Sequence, residues 1–369
     1  MRMRISNPVD HVDAEAIAVR AGEELDIDGL RRYLEAVLDE PLGDLRIRQF
    51  PDGFSNLTYL VSAGGLGTSP ERRWVLRRPP FGNRVRSAHD MAREFRVLQA
   101  LQPVFPPAPR PIHLCEDPAV LGCQFYLMSC INGIIVRRRD HPVHRRMGPL
   151  QVRRQFLAMF DGLASLHAVE PNAIGLEGLG RPQGYVRRQV EGWSRRYRAS
   201  ATTDAPDFDA VMQWLDDHMP VSSPPARLLH NDFKLDNVVW SDDGRLAGIL
   251  DWEMATVGDP LLDLGCALGY WAEADDPGFY RAACAMPTDV PGAPTRSEIV
   301  ARFGEQTGLK VDCFDFYLCF GMFRLAAIAQ QIYYRYCHGL TGDPRFAHMI
   351  NKVSALHEMC GRLIARSDL

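Results

Sequence analysis

Lysine is the residue this sequence almost does without. Of its 42 basic residues only Lys234, Lys310 and Lys352 are lysine; the rest are arginine. Any cation needed before Lys234 must therefore be a guanidinium, which grips oxyanions in a planar fork and does not interchange freely with an ammonium. Long apolar runs are missing too. No stretch approaches the roughly 20 residues of a membrane helix, so no membrane partner is expected. Blocks of positive charge are absent, and a formal charge of −4 argues against nucleic acid as the main partner. The nine cysteines form no C-x-x-C pair and no His/Cys group at zinc spacing. An odd, scattered set fits a reducing, cytoplasmic setting, with Cys266, Cys313 and Cys319 read as small core residues. Met1-Arg2-Met3-Arg4 runs into polar residues, so no secretory signal is expected. No internal repeat, low-complexity tract or G-x-G-x-x-G is present.

What is present centres on residues 228–251, LLHNDFKLDNVVWSDDGRLAGILD. Two apolar runs, Val238–Trp240 and Leu246–Leu250, flank Ser241-Asp242-Asp243-Gly244-Arg245. An Asp-Gly pair between such runs predicts a hairpin, because Gly tolerates the positive φ of a tight turn. Asn237 then precedes the first strand and Asp251 follows the second, with His230, Asn231, Asp232 and Lys234 on the loop that feeds them. Two carboxylates, a carboxamide, a histidine and a rare lysine suit phosphoryl transfer. One carboxylate takes the proton of an acceptor hydroxyl, an Asn and a second Asp hold Mg²⁺, and a cation offsets phosphate charge. H-N-D-F-K-L-D-N has the spacing of the protein-kinase catalytic loop H-R-D-x-x-x-x-N. The plain alternative is a polar loop on an ordinary hairpin. A protein kinase is disfavoured, since Asp251-Trp252-Glu253 stands in place of Asp-Phe-Gly and no Ala-Pro-Glu follows.

At 369 residues, 46% of them apolar, the chain can form two lobes. Residues 1–25 lack periodicity and read as a lead-in. Asp28 is expected to cap a helix through Leu38. Ile47–Leu60 and Trp74–Arg77 read as strands. The turn Asp52–Asn56 offers Gly53, Ser55 and Asn56 as groups able to approach a triphosphate, although an ordinary hairpin explains it equally. Arg77 stands at a strand end where a kinase carries its phosphate-pairing lysine; a surface arginine is the competing reading. Ser87–Leu101 reads as an amphipathic helix. There Glu94 either orients Arg77 or pairs with Arg93 or Arg96 at the surface. Pro103–Pro111 is an extended connector, and Phe125–Met128 a strand ending near Cys130, where the lobe boundary falls.

The seven arginines between Arg137 and Arg154 read as a solvated loop and helix start, with a polyanion site as the minority alternative. Helices are predicted over residues 156–167, 185–197 and 211–219, with His167 structural. A further helix starts near Pro260, where Asp263 either binds backbone beneath the central loop or simply sits at a helix N-terminus. Residues 275–297 read as loop. The last strong helix runs over 315–336, with Arg324, Gln331 and Arg335 on its polar face, solvated or lining an acceptor cleft.

These motifs resemble the aminoglycoside phosphotransferase and choline kinase superfamily, and above all the phosphotransferase-like group fused ahead of some acyl-CoA dehydrogenases. The resemblance rests on G-F-S-N-L-T-Y (Gly53–Tyr59), V-L-R-R-P-P (Val75–Pro80), R-E-F (Arg93–Phe95), F-Y-L-M (Phe125–Met128), H-N-D-F-K-L-D-N, I-L-D-W-E and G-D-P-L-L-D-L. It covers roughly residues 28–340, and no dehydrogenase domain is expected to follow. Asn231 departs from the family's usual His-Gly-Asp. The fold implied is α+β, a bilobal protein-kinase-like fold. Its small β-rich N-lobe would span 1–129 and its larger, mostly helical C-lobe 130–369. ATP and Mg²⁺ are the implied cofactors. Asp232 would be catalytic base, Lys234 would steady the transferred group, and Asn237 and Asp251 would be magnesium ligands. Arg77, oriented by Glu94, would meet phosphate, with Gly53, Ser55, Asn56 and the backbone near Met128 and Cys130 completing the nucleotide site. The implied acceptor is a small-molecule alcohol, a hydroxyacyl-CoA for the dehydrogenase-fused group. An antibiotic polycation is disfavoured, because no acidic cluster stands out. A non-catalytic nucleotide-binding regulator is the alternative from another class, motivated by Arg77 and Asn231.

Overall fold

The computed structural model describes residues 11–51, 56–64, 71–80, 90–137, 147–221, 224–284 and 286–369. The N-terminal part contains α1 (His11–Glu15), α2 (Ile27–Leu38), β1 (Leu45–Gln49), β2 (Leu57–Ala63), β3 (Arg72–Arg78), α3 (Met91–Leu101), β4 (Pro111–Cys115), α4 (Pro118–Leu121) and β5 (Phe125–Ser129). After it come α5 (Pro149–His167), α6 (Tyr185–Ala199), α7 (Asp209–Asp217), β6 (Arg227–Leu229), β7 (Val238–Trp240), β8 (Leu246–Ile249) and β9 (Thr256–Gly258). The chain closes with α8 (Pro260–Leu268), α9 (Gly278–Ala283), α10 (Arg296–Thr307), α11 (Phe314–Cys337) and α12 (Met349–Arg366). By contact it forms two compact units, Met1–Ile134 with Val239–Glu253, and Ile135–Val238 with Met254–Leu369.

The first unit is built on a five-stranded antiparallel sheet of order β1-β2-β3-β5-β4. Side chains alternate along a pleated strand. Leu57, Tyr59 and Val61, Trp74 and Leu76, and Phe125 and Leu127 therefore share one face, where they pack with Leu30 and Leu34 of α2. One residue along, Val75 pairs with Met128 and Arg77 with Tyr126, on the other face. There Phe95 of α3 meets Tyr126 edge-on. Asp26, rather than Asp28, caps α2 by accepting from Gly29 N; Asp28 instead pairs with Arg31. Asp90 caps α3, which is described from Met91; the expected start at Ser87 lies outside the described residues. Within the described part of the lead-in, Ile17 forms a bridge with Gln49. The predicted hairpin is present, with Gly244 at φ 79°. Its first strand bonds reciprocally to Ile134 through Trp240, and Ile249 N donates to Pro107 O.

Among its described residues the second unit is mainly helical, with the antiparallel pair β6 and β9. Its central crossing, α8 on α11, is a contact between backbones. A Cβ on Gly265 would lie 2.2 Å from Tyr317 O, and one on Gly321 2.0 Å from Gly265 O. Gly269 meets Gly321 in the same way. Several elements depart from the sequence reading. Residues 275–297 contain α9 and run into α10, whose Thr295/Glu298 capping box is a start signal the loop-rich composition hid. Both α12 and β4 were unexpected. Cys313 is exposed at the start of α11 rather than a core residue, whereas Cys266 and Cys319 are buried. Among the described residues no helix is long and apolar enough to cross a membrane.

The crossing gives a test with opposed signs. Helix propensity alone would make Gly321→Ala stabilising by about 1 kcal/mol. Overlap with the Gly265 backbone should instead destabilise by about 1–3 kcal/mol. Urea unfolding should show a lower midpoint; an unchanged or higher one would contradict so close a crossing.

Candidate active site

Residues 230–237 leave β6 and are held from beneath by one carboxylate. Asp263, in the first turn of α8, accepts from His230 N and Asn231 N, each at 2.8 Å. Its Oδ2 also meets His167 Nε2 at 3.0 Å, from the end of α5. Asp263 is fully buried. Burial alone would raise its pKa, but the His167 hydrogen bond, the histidine charges and the His230 N–H outweigh it and hold it below the ordinary value. Asp263 thus takes the backbone-binding role and His167 the structural one. Asp259 caps α8 through Leu261 N and Leu262 N, which fixes where Asp263 points.

The loop then turns through Asn231 at φ 67°. Glycine is at ease in that region, and asparagine is among the few other residues that enter it readily. The Asn231 carboxamide bonds the Tyr185 hydroxyl, and the Asn231 backbone carbonyl accepts from Arg324 Nη2 at 2.7 Å. Arg324 is therefore not on a solvated helix face. It is buried, packs over Trp193, and braces the loop; the polar periodicity of α11 concealed this. Gln331 is partly exposed and Arg335 exposed.

Beyond Asn231, Asp232 is presented with its side chain 18% exposed, enough to meet a ligand. Lys234 Nζ lies 2.9 Å from Asp232 Oδ2, Asn237 Nδ2 donates to Asp232 O at 2.9 Å and to Oδ2 at 3.3 Å, and Tyr270 Oη approaches Oδ1 at 3.4 Å. Burial disfavours the Lys234 ammonium, but the Asp232 carboxylate first, and Asp236 with it, more than reverse this, so its pKa is raised and it stays protonated.

In the first unit Arg77 is a second hub. Its Nη1 meets Glu94 at 3.0 Å, and its Nη2 meets Asp251 at 2.6 Å and Glu253 at 2.8 Å. Glu94 also accepts from Trp252 N, and Glu253 from Asn56 Nδ2. Arg93 donates to Glu253 O. Glu94 thus pairs with Arg77 and not with Arg93 or Arg96. Burial is the main reason its pKa is pushed up to about 7; Arg77 opposes the rise, and Asp251 and Glu253 add to it. Desolvation works against the Arg77 charge, yet the surrounding carboxylates keep its pKa well above normal. Asp251 itself sits at φ 67°.

The expected residues therefore fall into two groups. Asp232, Lys234 and Asn237 come together in the second unit, and Asn56, Arg77, Glu94 and Asp251 in the first. Met128 lies within β5, and Cys130 just beyond it packs on the cluster of Val12, Ala16 and Leu60. Gly53 and Ser55 lie outside the described residues, as do four of the arginines between Arg137 and Arg154. Glu253, Tyr185 and Tyr270 were not anticipated. Among the described residues no three His, Cys, Asp or Glu side chains are arranged to hold a metal by themselves. A groove of about 660 Å³ between α6 and α7 holds none of the expected residues, and its Arg198 pairs with its Asp209 at 2.8 Å.

An antiparallel sheet with an orienting helix, followed by helices around an H-x-D loop, defines a kinase-like fold of the α+β class expected. The chain matches the phosphotransferase enzyme family (APH) over residues 46–298 and belongs to it. A sequence relative is acyl-CoA dehydrogenase family member 11 of Gallus gallus, 32% identical over 91% of this chain and 43% of that protein. The chain thus spans less than half of that relative's length. A Ralstonia eutropha protein provisionally named an aminoglycoside phosphotransferase superposes with a TM-score of 0.78 at 28% identity, over 94% of this chain and 100% of that one. A mutant of aminoglycoside phosphotransferase APH(4)-Ia, solved with ADP and hygromycin B, shares the fold at 14% identity and a TM-score of 0.55, over 92% of this chain and 99% of its own.

The Asp263 anchor yields a pH-dependent expectation. Because its pKa is depressed in the folded state, its stabilisation is complete above the ordinary value of 3.8 and is lost as pH falls below it. Asp263→Asn turns an amide towards backbone N–H groups and should cost about 1–3 kcal/mol at neutral pH. In chemical denaturation the gap between wild type and variant should shrink below that pKa. A gap that does not change with pH would rule out an ionised anchor.

Proposed function

We propose that this chain is an ATP-dependent phosphotransferase that moves the γ-phosphate onto a hydroxyl of a small metabolite. The observation that carries the reading is the Asp232 carboxylate, 2.9 Å from Lys234 and 3.3 Å from Asn237 on a loop anchored by Asp263. In this reading the acceptor oxygen bonds to the γ-phosphorus while Asp232 takes its proton. The bond from that phosphorus to the bridging oxygen breaks, and ADP leaves. Lys234, kept protonated, lies near the charge on the transferred group.

Arg77, oriented by Glu94, is the phosphate cation of the first unit, with Asn56 and the backbone near Met128 and Cys130 serving the nucleotide. Asp251 of the first unit and Asn237 of the second, each taken in its own unit, are the magnesium ligands the resemblance implies. Magnesium commonly takes one or two carboxylates and completes its shell with phosphates and water. Three carboxylates converge on the Arg77 guanidinium, and oxygen donors of that kind suit a divalent cation, whose contribution when bound would be to neutralise phosphate charge. A hydroxyacyl-CoA is the first acceptor to test, since the relatives are named for acyl-CoA dehydrogenases. A cytoplasmic setting goes with this reading. A nucleotide-binding regulator without catalysis is the second reading, favoured by the occupation of Arg77 by three carboxylates.

Asp232→Asn should lower turnover by about 10²–10⁴-fold, read as ADP formation with a responsive alcohol. Turnover near wild type would remove Asp232 from the role of base. Thermal unfolding should show a Mg²⁺-dependent rise with ATP, worth about 2.7 kcal/mol at 100 times Kd. That rise should vanish in Asp251→Ala. Its persistence would clear Asp251 of metal binding, and ATP binding without turnover on any alcohol would favour the regulator.

A further inference from the structure

Two of the three lysines meet at one aromatic ring, and the reading above uses only one of them. Lys234 Nζ lies 5.6 Å and Lys352 Nζ 5.7 Å from the centroid of Tyr270. Lys352 belongs to the first turns of α12, beyond the residues that match the family. The Tyr270 hydroxyl in turn reaches Asp232 Oδ1 at 3.4 Å. One ring therefore gathers both ammonium groups beside the proposed base.

The two ammonium groups differ in their partners. Lys234 pairs with Asp232 at 2.9 Å and with Asp236 at 3.9 Å. Lys352 makes no ion pair and no hydrogen bond among the described residues; its one close contact of this kind is the ring. Taking an ammonium out of water without a counter-anion is unfavourable. Burial accordingly lowers the Lys352 pKa, and Lys234 adds to this, against Cys284 and Asp236. A cation so placed lacks an anion that a ligand can bring. Everywhere before Lys234 the chain uses arginine as its cation, yet both positions at this ring carry the compact, three-donor ammonium.

We propose that Lys352, with Lys234 at the same ring, binds an anionic group carried by the acceptor, a carboxylate or a phosphate ester. This rests on the reading of Asp232 as base. It narrows the acceptor to a hydroxy acid or a phosphorylated alcohol, and sets this chain apart from phosphotransferases whose acceptors are polycations.

The scarcity of lysine makes the test direct. Reductive methylation with ¹³C-formaldehyde places a charged dimethyl reporter on the three lysines and on the α-amino group, the lysines being assignable with single Lys→Arg variants. Exposed Lys310 is the internal control. Titration with inorganic phosphate, and separately with malonate, should move the Lys352 and Lys234 resonances saturably and leave Lys310 in place; the anion acting at lower concentration identifies the group. Lys352→Gln should weaken the apparent Kd, followed at Lys234, by about tenfold or more, and Lys352→Arg should retain most of the binding. A Lys352 resonance that merely tracks Lys310, or a Kd unchanged in Lys352→Gln, would overturn the proposal and leave Lys352 as a packing residue. The binding readout itself needs no turnover. A saturable shift without ADP formation would keep the anion site and sink the kinase reading, whereas ADP formation with an unmoved Lys352 would sink the anion site alone.

Discussion

The second unit depends on one buried anion. Asp263 takes two backbone N–H groups from consecutive residues and a ring N–H from a helix that begins more than a hundred residues earlier, and it is ionised despite complete burial. Each of those donors would otherwise be left unsatisfied away from water, where the penalty is largest. The arrangement fixes the start of the loop, hence the turn at Asn231, hence the direction of Asp232. His167 Nε2 must carry the proton, because its partner is a carboxylate. The helix cap at Asp259 and the end of α5 thereby become part of how Asp232 is aimed.

The first unit inverts this logic. There three carboxylates converge on one guanidinium, whereas at Asp263 three donors converge on one carboxylate. Two such centres in one chain have different consequences. Donors gathered on one carboxylate rigidify their surroundings. In a carboxylate-rich centre the most buried member, Glu94, has its pKa raised chiefly by burial and further by Asp251 and Glu253, so it responds to added positive charge.

Much of this was legible in the sequence because the signals were local. The Asp-Gly turn with its flanking β-prone runs located the hairpin, and period-2 and period-3.6 patterns located β2, β3, α3, α5 and α11. The residues Asp232, Lys234, Asn237 and Asp263 were singled out from spacing and residue type. What could not be read was long-range. Nothing local in α11 distinguishes Arg324, which braces Asn231, from Arg335, which is exposed. Nor does a lone lysine in α12 announce that it ends beside Tyr270. Glu253 stood next to a recognised aspartate but had no visible partner until Arg77 and Asn56 were in place. The Thr295/Glu298 capping box was readable, and composition overrode it.

The glycine crossing of α8 and α11 has a mechanical side. Gly265 lies two residues after Asp263, and Gly321 three residues before Arg324. With no side chains between the two backbones, these helices have little room to slide or roll against each other. One supplies the carboxylate under the loop and the other the guanidinium on its carbonyl, so the crossing acts as a gauge block that sets their offset. A change there need not unfold the protein to be felt. A displacement of a few tenths of an ångström would reach Asp232 as a misaligned carboxylate.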